Sequence, residues 1–161
     1  INGKDLKWHF KSCGKPASYQ FRSYDLNEVV ITAAEFAPNS TDEALAEYAG
    51  AYATPNAVND VLINVWGYDP SWAIEVKEGN TSLTVERVSV KDPLHIISYE
   101  AKRLNAGAIP TSSFVTGNTA HMFLVRASSA TSTLEIKVTD RFGRVYNETM
   151  TRPKDFTWTM Q

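Results

Sequence analysis

Three histidines are the side chains best suited to general-base catalysis or metal binding in this chain: His9, His95 and His121. No two of them have the close spacing that is typical of a metal site. His121 shares a predicted strand face with Phe123, which predicts a hydrogen-bonded core histidine. His95 lies near Asp92 in the first turn of a predicted helix, where capping or packing is favoured over catalysis. The sequence therefore predicts no catalytic residue and no metal ligand in this chain.

The tryptophans offer a second kind of chemistry, because flat aromatic rings bind the apolar faces of sugars. Trp8 and Trp72 are in phase with the apolar faces of their predicted strands, so both are predicted to be core residues. Trp66 and Tyr68 flank a glycine turn and form the candidate exposed aromatic pair. A sugar-binding role and a structural role both remain open for this pair.

The composition indicates one compact domain and argues against several classes of partner. A chain of 161 residues with 43% hydrophobic content buries roughly two-thirds of its unfolded surface. The net charge of −2 argues against a nucleic-acid partner, which requires a basic surface. No apolar run approaches the roughly 18 residues of a membrane span. The chain begins at Ile1, so we expect a processed product or an excised segment.

The N-terminal region is predicted to form a β-hairpin. Apolar and polar residues alternate in segments 6–11 and 18–24, on either side of a turn at residues 14–16. The single cysteine, Cys13, lies beside this turn without a disulfide partner, and nothing around it indicates a nucleophile, so a buried thiol is predicted. The hairpin is expected to place Leu6, Trp8 and Phe10 inward, and Gln20 and Arg22 outward.

Two helices are predicted between the strands. Residues 41–48 could form a short helix with acidic residues in its first turn. The stronger helix signal covers residues 93–106, where Asp92 is the predicted N-cap and Pro93 occupies the first helical position. Gly107 is predicted to end this helix.

The strongest architectural signal is a hairpin near the C-terminus. Apolar and polar residues alternate over 134–139, a turn at 140–144 contains Gly143, and a return strand covers 144–150. About eight strands with frequent turns predict a mainly β protein, an immunoglobulin-like antiparallel β-sandwich with one inserted helix near residues 93–106. Residues 1–161 are predicted to be a single domain. Further strands are predicted at residues 61–66, 72–77, 83–88, 121–127 and 156–160.

Several long segments resemble the C-terminal domain of bacterial calcineurin-like phosphoesterases. Together they extend over nearly the whole chain. They are KSCGK at 11–15, YQFR at 19–22, NVWGYDPSW at 64–72, DPLHIISYE at 92–100, TAHMF at 119–123, VTDRFGRVY at 138–146 and RPK at 152–154.

The resemblance implies an accessory domain of a larger phosphohydrolase. In such proteins a metallophosphoesterase domain precedes this one and holds a divalent metal pair, so this chain is expected to need no cofactor of its own. The metal-binding elements of that catalytic domain do not occur in this sequence, and no catalytic residue is carried over. The resemblance also implies a periplasmic or cell-surface location.

The expected function is therefore a non-catalytic domain that packs on the catalytic domain and shapes the rim of its active site. The alternative is an autonomous glycan- or envelope-binding module. We expect the preceding domain to lie close to the N-terminal hairpin, where basic groups could attract an anionic substrate or pair with acids. A solvated hairpin face is the other interpretation. The candidate interdomain or substrate-rim patch consists of Lys11, Lys15, Gln20 and Arg22.

Overall fold

The computed structural model describes residues 6–111 and 116–157. Two four-stranded antiparallel sheets form the framework of this structure, with strand orders β1-β2-β6-β5 in the first sheet and β4-β3-β7-β8 in the second. The predicted mainly β fold is therefore confirmed. The strands are β1 (Phe21–Asp25), β2 (Asp60–Val65), β3 (Ala73–Glu78), β4 (Thr81–Ser82), β5 (Val85–Val90), β6 (Thr119–Arg126), β7 (Leu134–Thr139) and β8 (Val145–Met150).

The main hydrophobic core lies between the two sheets and is consistent with a β-sandwich. Alternate residues of the longer strands enter it, because successive side chains of a strand point to opposite faces. Trp72 is buried in this core, as predicted. Further members include Val61, Ile63, Val65 and Phe123 from the first sheet and Val76, Leu134, Ile136, Val138 and Met150 from the second.

The predicted C-terminal hairpin is confirmed by the pairing of β7 with β8. Leu134 pairs with Met150 and Val138 with Tyr146, so the apolar residues face the core. Gly143 has a φ of +77°, the left-handed conformation that a residue with a side chain rarely adopts. The turn is further fixed by the Asp140 carboxylate, which accepts hydrogen bonds from the backbone N–H groups of Phe142 (2.8 Å) and Arg144 (3.0 Å).

Helices cover the outer face of the first sheet and form a third layer. The predicted helix near 93–106 is confirmed: it begins as α3 (Pro93–Ile96), continues as a π-helical turn (Ile97–Ala101) and ends as α4 (Lys102–Asn105). Asp92 caps its start by accepting a 2.9 Å hydrogen bond from the Leu94 N–H. The helical layer is larger than one inserted helix, since it also contains α1 (Ala33–Phe36), α2 (Asp42–Ala49) and a 3-10 turn (Gly50–Ala53).

The predicted N-terminal hairpin is wrong. Residues 6–20 form no strand, and the first strand of the described structure begins at Phe21. Leu6, Trp8 and Phe10 were expected in the core, but 62%, 42% and 41% of their surfaces are exposed. Their alternation has another cause, because Trp8 and Phe10 lie against the β2–β3 turn at Gly67 instead of forming one face of a sheet.

The end of the described chain also differs from the expected last strand at 156–160. Residues 156 and 157 are not in a strand, and residues 158–160 lie outside the described residues. Phe156 packs into the helical layer, with its ring centroid 5.8 Å from that of Phe36 and 6.1 Å from that of Tyr24. Within the described ranges, no helix is both long and apolar enough to cross a membrane.

Candidate functional site

A cavity of about 390 Å³ lies between the N-terminal segment, the end of β2 and the start of helix 93–105. We call it the Trp66 cavity. It brings together aromatic, cationic and hydroxyl side chains from parts of the chain that are far apart in sequence. Its lining consists of Phe10, Lys11, Ser12, Cys13, Lys15, Tyr19, Tyr24, Trp66, Asp92, Leu94, His95 and Ser98.

Three aromatic rings form one wall of the Trp66 cavity. The rings of Tyr19 and Trp66 are 4.4 Å apart between centroids, and Phe10 stacks on Trp66 at 6.3 Å with an interplanar angle of 22°. The ammonium group of Lys15 lies 5.1 Å from the centroid of the Tyr19 ring. This cation–π contact restrains a long flexible side chain at the aromatic wall.

A partly buried hydrogen-bond network supports another side of the cavity. The Asp92 carboxylate accepts hydrogen bonds from the Tyr24 hydroxyl (2.8 Å) and from the Asn64 side-chain amide (2.6 Å). Burial, and then the nearby Asp92 carboxylate, raise the pKa of the Tyr24 hydroxyl far above its usual value. Tyr24 is therefore a permanent donor to Asp92. His121 completes the network, since its Nδ1 lies 2.8 Å from the Asn64 side-chain oxygen, which agrees with the predicted hydrogen-bonded histidine.

A second cavity of about 380 Å³ adjoins the first, and the two share Lys15, Tyr19 and Tyr24 in their linings. Arg22 and Lys154 contribute further cationic groups to it. The Lys154 ammonium donates hydrogen bonds to the Glu148 carboxylate (2.6 Å) and the Ser23 hydroxyl (2.8 Å). The Lys154 charge is therefore compensated locally.

An ion pair between Arg152 and Asp25 lies beneath the second cavity, and both side chains are fully buried. The guanidinium donates from Nε to Asp25 Oδ2 (2.9 Å) and from Nη2 to Asp25 Oδ1 (2.8 Å). Its Nη1 donates to the Ser129 carbonyl oxygen at 2.7 Å. This bidentate pair joins the C-terminal segment to β1.

Three of the four residues of the predicted patch surround the two cavities. Lys11 and Lys15 line the Trp66 cavity, while Lys15 and Arg22 line the second cavity. Gln20 does not face outward as expected. It is fully buried, and its side-chain amide donates to the carbonyl oxygens of Phe10 (2.6 Å) and Ala17 (2.7 Å). Because Gln20 precedes the first strand, strand alternation does not apply to it.

The candidate aromatic pair is divided between different environments. Trp66 lies in the cavity wall, whereas Tyr68 packs against the sandwich core with its ring centroid 4.9 Å from that of Phe123. The Arg87 guanidinium lies 4.9 Å from the centroid of the Tyr68 ring. Both rings are half-buried, and the partner of Trp66 is Tyr19 rather than Tyr68.

Sequence reasoning missed several residues of this site. Phe10 was assigned to a hairpin core, Tyr19 was not identified as a site residue, and Cys13 was predicted to be buried, whereas the structure places Cys13 at the exposed surface. The signal that could have identified the wall is the density of aromatic residues around Lys11 and Lys15. No local pattern indicates the contact with Trp66, which lies more than 40 residues away.

The described part of the chain does not fit a resident metal pair. Within residues 6–111 and 116–157, no group of three or more histidine, cysteine, aspartate or glutamate side chains is placed so that it could hold a metal ion. The three histidines have separate surroundings. His95 is exposed, His121 contacts Asn64, and His9 Nδ1 lies 3.3 Å from the Arg144 guanidinium.

Comparison with known protein families identifies a matching family. The family model described as the C terminal of calcineurin-like phosphoesterase matches residues 1–146, which is most of the chain. No curated protein and no solved structure matches the chain.

Proposed function

The chain belongs to the family of C-terminal domains of calcineurin-like phosphoesterases, and from this premise we propose that it is the non-catalytic accessory domain of a metal-dependent phosphohydrolase. In this proposal the divalent metals and the reacting groups belong to a metallophosphoesterase domain of the same polypeptide. The accessory domain packs on that domain and shapes the rim of its active site.

The observation that carries the proposal is the exposed apolar surface of the N-terminal segment. Leu6, Trp8 and Phe10 lie within five residues of one another and are all more than 40% exposed. A large contiguous apolar patch is uncommon on an isolated soluble domain and typically marks a surface that a partner covers. We name residues 6–10 the docking segment and assign the catalytic domain as its partner.

Basic side chains border the docking segment and suit the second part of the proposal. Lys11 follows it directly, and Lys15 and Arg22 surround the adjoining cavities. Phosphate esters are anionic, so cationic groups at the edge of an interdomain surface raise the local concentration of substrate. The same groups could form charge-assisted hydrogen bonds with carboxylates of the catalytic domain.

The test compares docking in the full-length protein with and without the apolar contacts. We expect the double substitution Trp8→Ser and Phe10→Ser to increase proteolytic cleavage between the domains and to raise KM, while the far-ultraviolet circular dichroism is unchanged. Val58→Ser is the matched control, because Val58 is also an exposed apolar residue (47%) but lies outside the docking segment. Val58 precedes β2, whereas Trp66, on which Phe10 stacks, follows the other end of that strand. Equal cleavage and equal kinetics in the double variant and in the unsubstituted full-length protein would exclude this docking surface.

A second candidate function is a glycan-binding module, favoured by the contact between Tyr19 and Trp66. Two rings at 4.4 Å offer a surface of the kind on which sugar rings pack. This candidate predicts that neutral oligosaccharides immobilised in the gel retard the 161-residue chain in affinity electrophoresis and that Trp66→Leu abolishes the retardation. The accessory-domain proposal requires no such binding.

We also propose that the parent protein acts in the periplasm or at the cell surface. The proposal follows from the family membership, since full-length proteins that contain a domain of this family are typically exported. Fractionation of cells that express the full-length protein, with protease added to intact cells and to spheroplasts, provides the test. Recovery of the full-length protein only in the cytoplasmic fraction would overturn this proposal.

A further inference from the structure

We propose that the Trp66 cavity is a binding site for an organic phosphate ester, with the lysines holding the phosphoryl group and the aromatic wall holding the organic group. The inference deepens the proposed function by naming a ligand class for the substrate rim, and its biological role rests on that function. Binding itself, however, can be measured without the catalytic domain.

The dimensions of the cavity suit a small ligand. Its volume of about 390 Å³ lies within the range of roughly 300–1,000 Å³ that is common for small-molecule sites. Such sites combine apolar walls with a few polar groups that orient the ligand. Here Phe10, Tyr19 and Trp66 provide the wall, and Lys11 and Lys15 provide cationic groups in the lining.

The charge of the cavity favours an anion. Within residues 6–111 and 116–157, no carboxylate forms an ion pair with Lys11 or Lys15. Asp92 is the acidic residue of the lining, and both of its carboxylate oxygens already accept hydrogen bonds, from Tyr24 and the Leu94 N–H on Oδ1 and from Asn64 on Oδ2. Its charge is therefore stabilised within the fold, and both lysines remain available to a phosphoryl group.

The position of Lys15 explains why the ligand needs both an anionic and an apolar part. Its ammonium group lies 5.1 Å from the Tyr19 ring centroid, and the Tyr19 ring contacts Trp66. A phosphoryl group bound by Lys15 therefore places its ester substituent next to the aromatic wall. Inorganic phosphate uses only the lysines, and an uncharged alcohol uses only the wall, so each should bind more weakly than the ester.

Isothermal titration of the 161-residue chain with phenyl phosphate, inorganic phosphate and phenol tests this inference. We expect phenyl phosphate to bind at least about tenfold more tightly than either of the other two probes. Lys15→Gln should weaken phenyl phosphate binding by about tenfold, whereas Lys15→Arg should retain most of it. Trp66→Leu should remove the preference for phenyl phosphate over inorganic phosphate and leave the binding of inorganic phosphate unchanged.

A control variant and a protection measurement accompany the titrations. Lys137→Gln should leave all affinities unchanged, because Lys137 lies on the second sheet in an exposed ion pair with Glu75 (2.8 Å). In the parent chain, phenyl phosphate should slow the reaction of maleimide with the Cys13 thiol, which lies in the cavity lining. Melting temperatures of all variants would identify any loss of fold.

The possible outcomes separate this inference from the proposed function. Equal affinity for phenyl phosphate and inorganic phosphate, or no protection of Cys13, would overturn the ligand assignment and leave the docking experiment unaffected. Unchanged interdomain cleavage and kinetics in the Trp8→Ser and Phe10→Ser double variant, together with phenyl phosphate binding by the unsubstituted chain, would overturn only the proposed docking. Binding of neutral oligosaccharides without any binding of phenyl phosphate would overturn the ligand assignment in favour of the glycan module.

Discussion

Replacing Arg152 with methionine removes one partner of the fully buried ion pair with Asp25. Methionine keeps an unbranched apolar side chain at this position, so the substitution chiefly removes charge and hydrogen bonds. The Asp25 carboxylate then loses both guanidinium donors, at 2.8 and 2.9 Å. Among residues 6–111 and 116–157, its remaining donors are the backbone N–H groups of Asn27 (3.2 Å) and Lys154 (3.3 Å), and neither of them carries a charge that could balance the buried carboxylate.

The expected loss of stability follows from the cost of leaving a buried carboxylate without its counterion. Removing one partner of a buried pair typically lowers the free energy of unfolding by about 3–5 kcal/mol. With a urea m-value of about 2 kcal/mol per molar, the midpoint of unfolding should fall by roughly 1.5–2.5 M. Equilibrium urea denaturation, followed by tryptophan fluorescence and circular dichroism, measures this shift.

Two further variants test the physical reason for the loss. The double substitution Asp25→Leu and Arg152→Met removes both charges and should recover at least about half of the lost stability, because apolar replacements of buried pairs are often well tolerated. Lys137→Met breaks the exposed pair with Glu75 and should cost less than about 1 kcal/mol. A midpoint for Arg152→Met within about 0.5 M of the parent would refute the assigned burial of this pair.

Three other predictions address the C-terminal hairpin turn and the absence of catalysis. Gly143→Val should lower the free energy of unfolding by about 1–3 kcal/mol, because Gly143 has a φ of +77°, and an unchanged denaturation midpoint would contradict the turn geometry. Burial opposes ionisation of Asp140, but hydrogen bonds from Arg144 and Phe142 outweigh it and lower its pKa. Its stabilising contribution should therefore be present above the unfolded-state pKa of about 4 and be lost as the pH falls through the lower folded-state value. Asp140→Asn should remove this part of the acid dependence, and an identical acid profile in that variant would count against it. The 161-residue chain should not hydrolyse phenyl phosphate with Mn²⁺, Zn²⁺ or Mg²⁺ beyond a metal-only control, and turnover that His95→Ala or His121→Ala abolishes would contradict the accessory assignment.

The elements predicted successfully are those determined by local patterns. The hairpin of β7 and β8 combines strict alternation with a glycine in its turn, and both signals lie within 17 residues. The helix start at Asp92 and Pro93 likewise depends on neighbouring residues, because the cap bonds the N–H two positions later. Local interactions such as these are readable from the sequence without knowledge of the fold.

The N-terminal segment could not be predicted in the same way, because its contacts are distant in sequence. Phe10 stacks on Trp66, and Trp8 contacts Phe142 edge-on with 5.9 Å between ring centroids. Alternating aromatic residues predict a strand when only their neighbours are considered. Here the same residues cover two turns at one end of the sandwich, which alternation alone cannot distinguish from a sheet face.

The position of the Trp66 cavity depends on side chains that attach the N-terminal segment to the rigid sheets. On one side, the Gln20 amide holds the Phe10 carbonyl oxygen at 2.6 Å. On the other, the Arg144 guanidinium donates to the Trp8 carbonyl oxygen and to the Asp140 carboxylate (2.5 Å). Arg144 follows the β7–β8 turn, so the hairpin near the C-terminus orients the aromatic residues near the N-terminus. The docking segment and the cavity wall are therefore properties of the folded sandwich, since residues 6–15 form no regular element that could position these side chains independently.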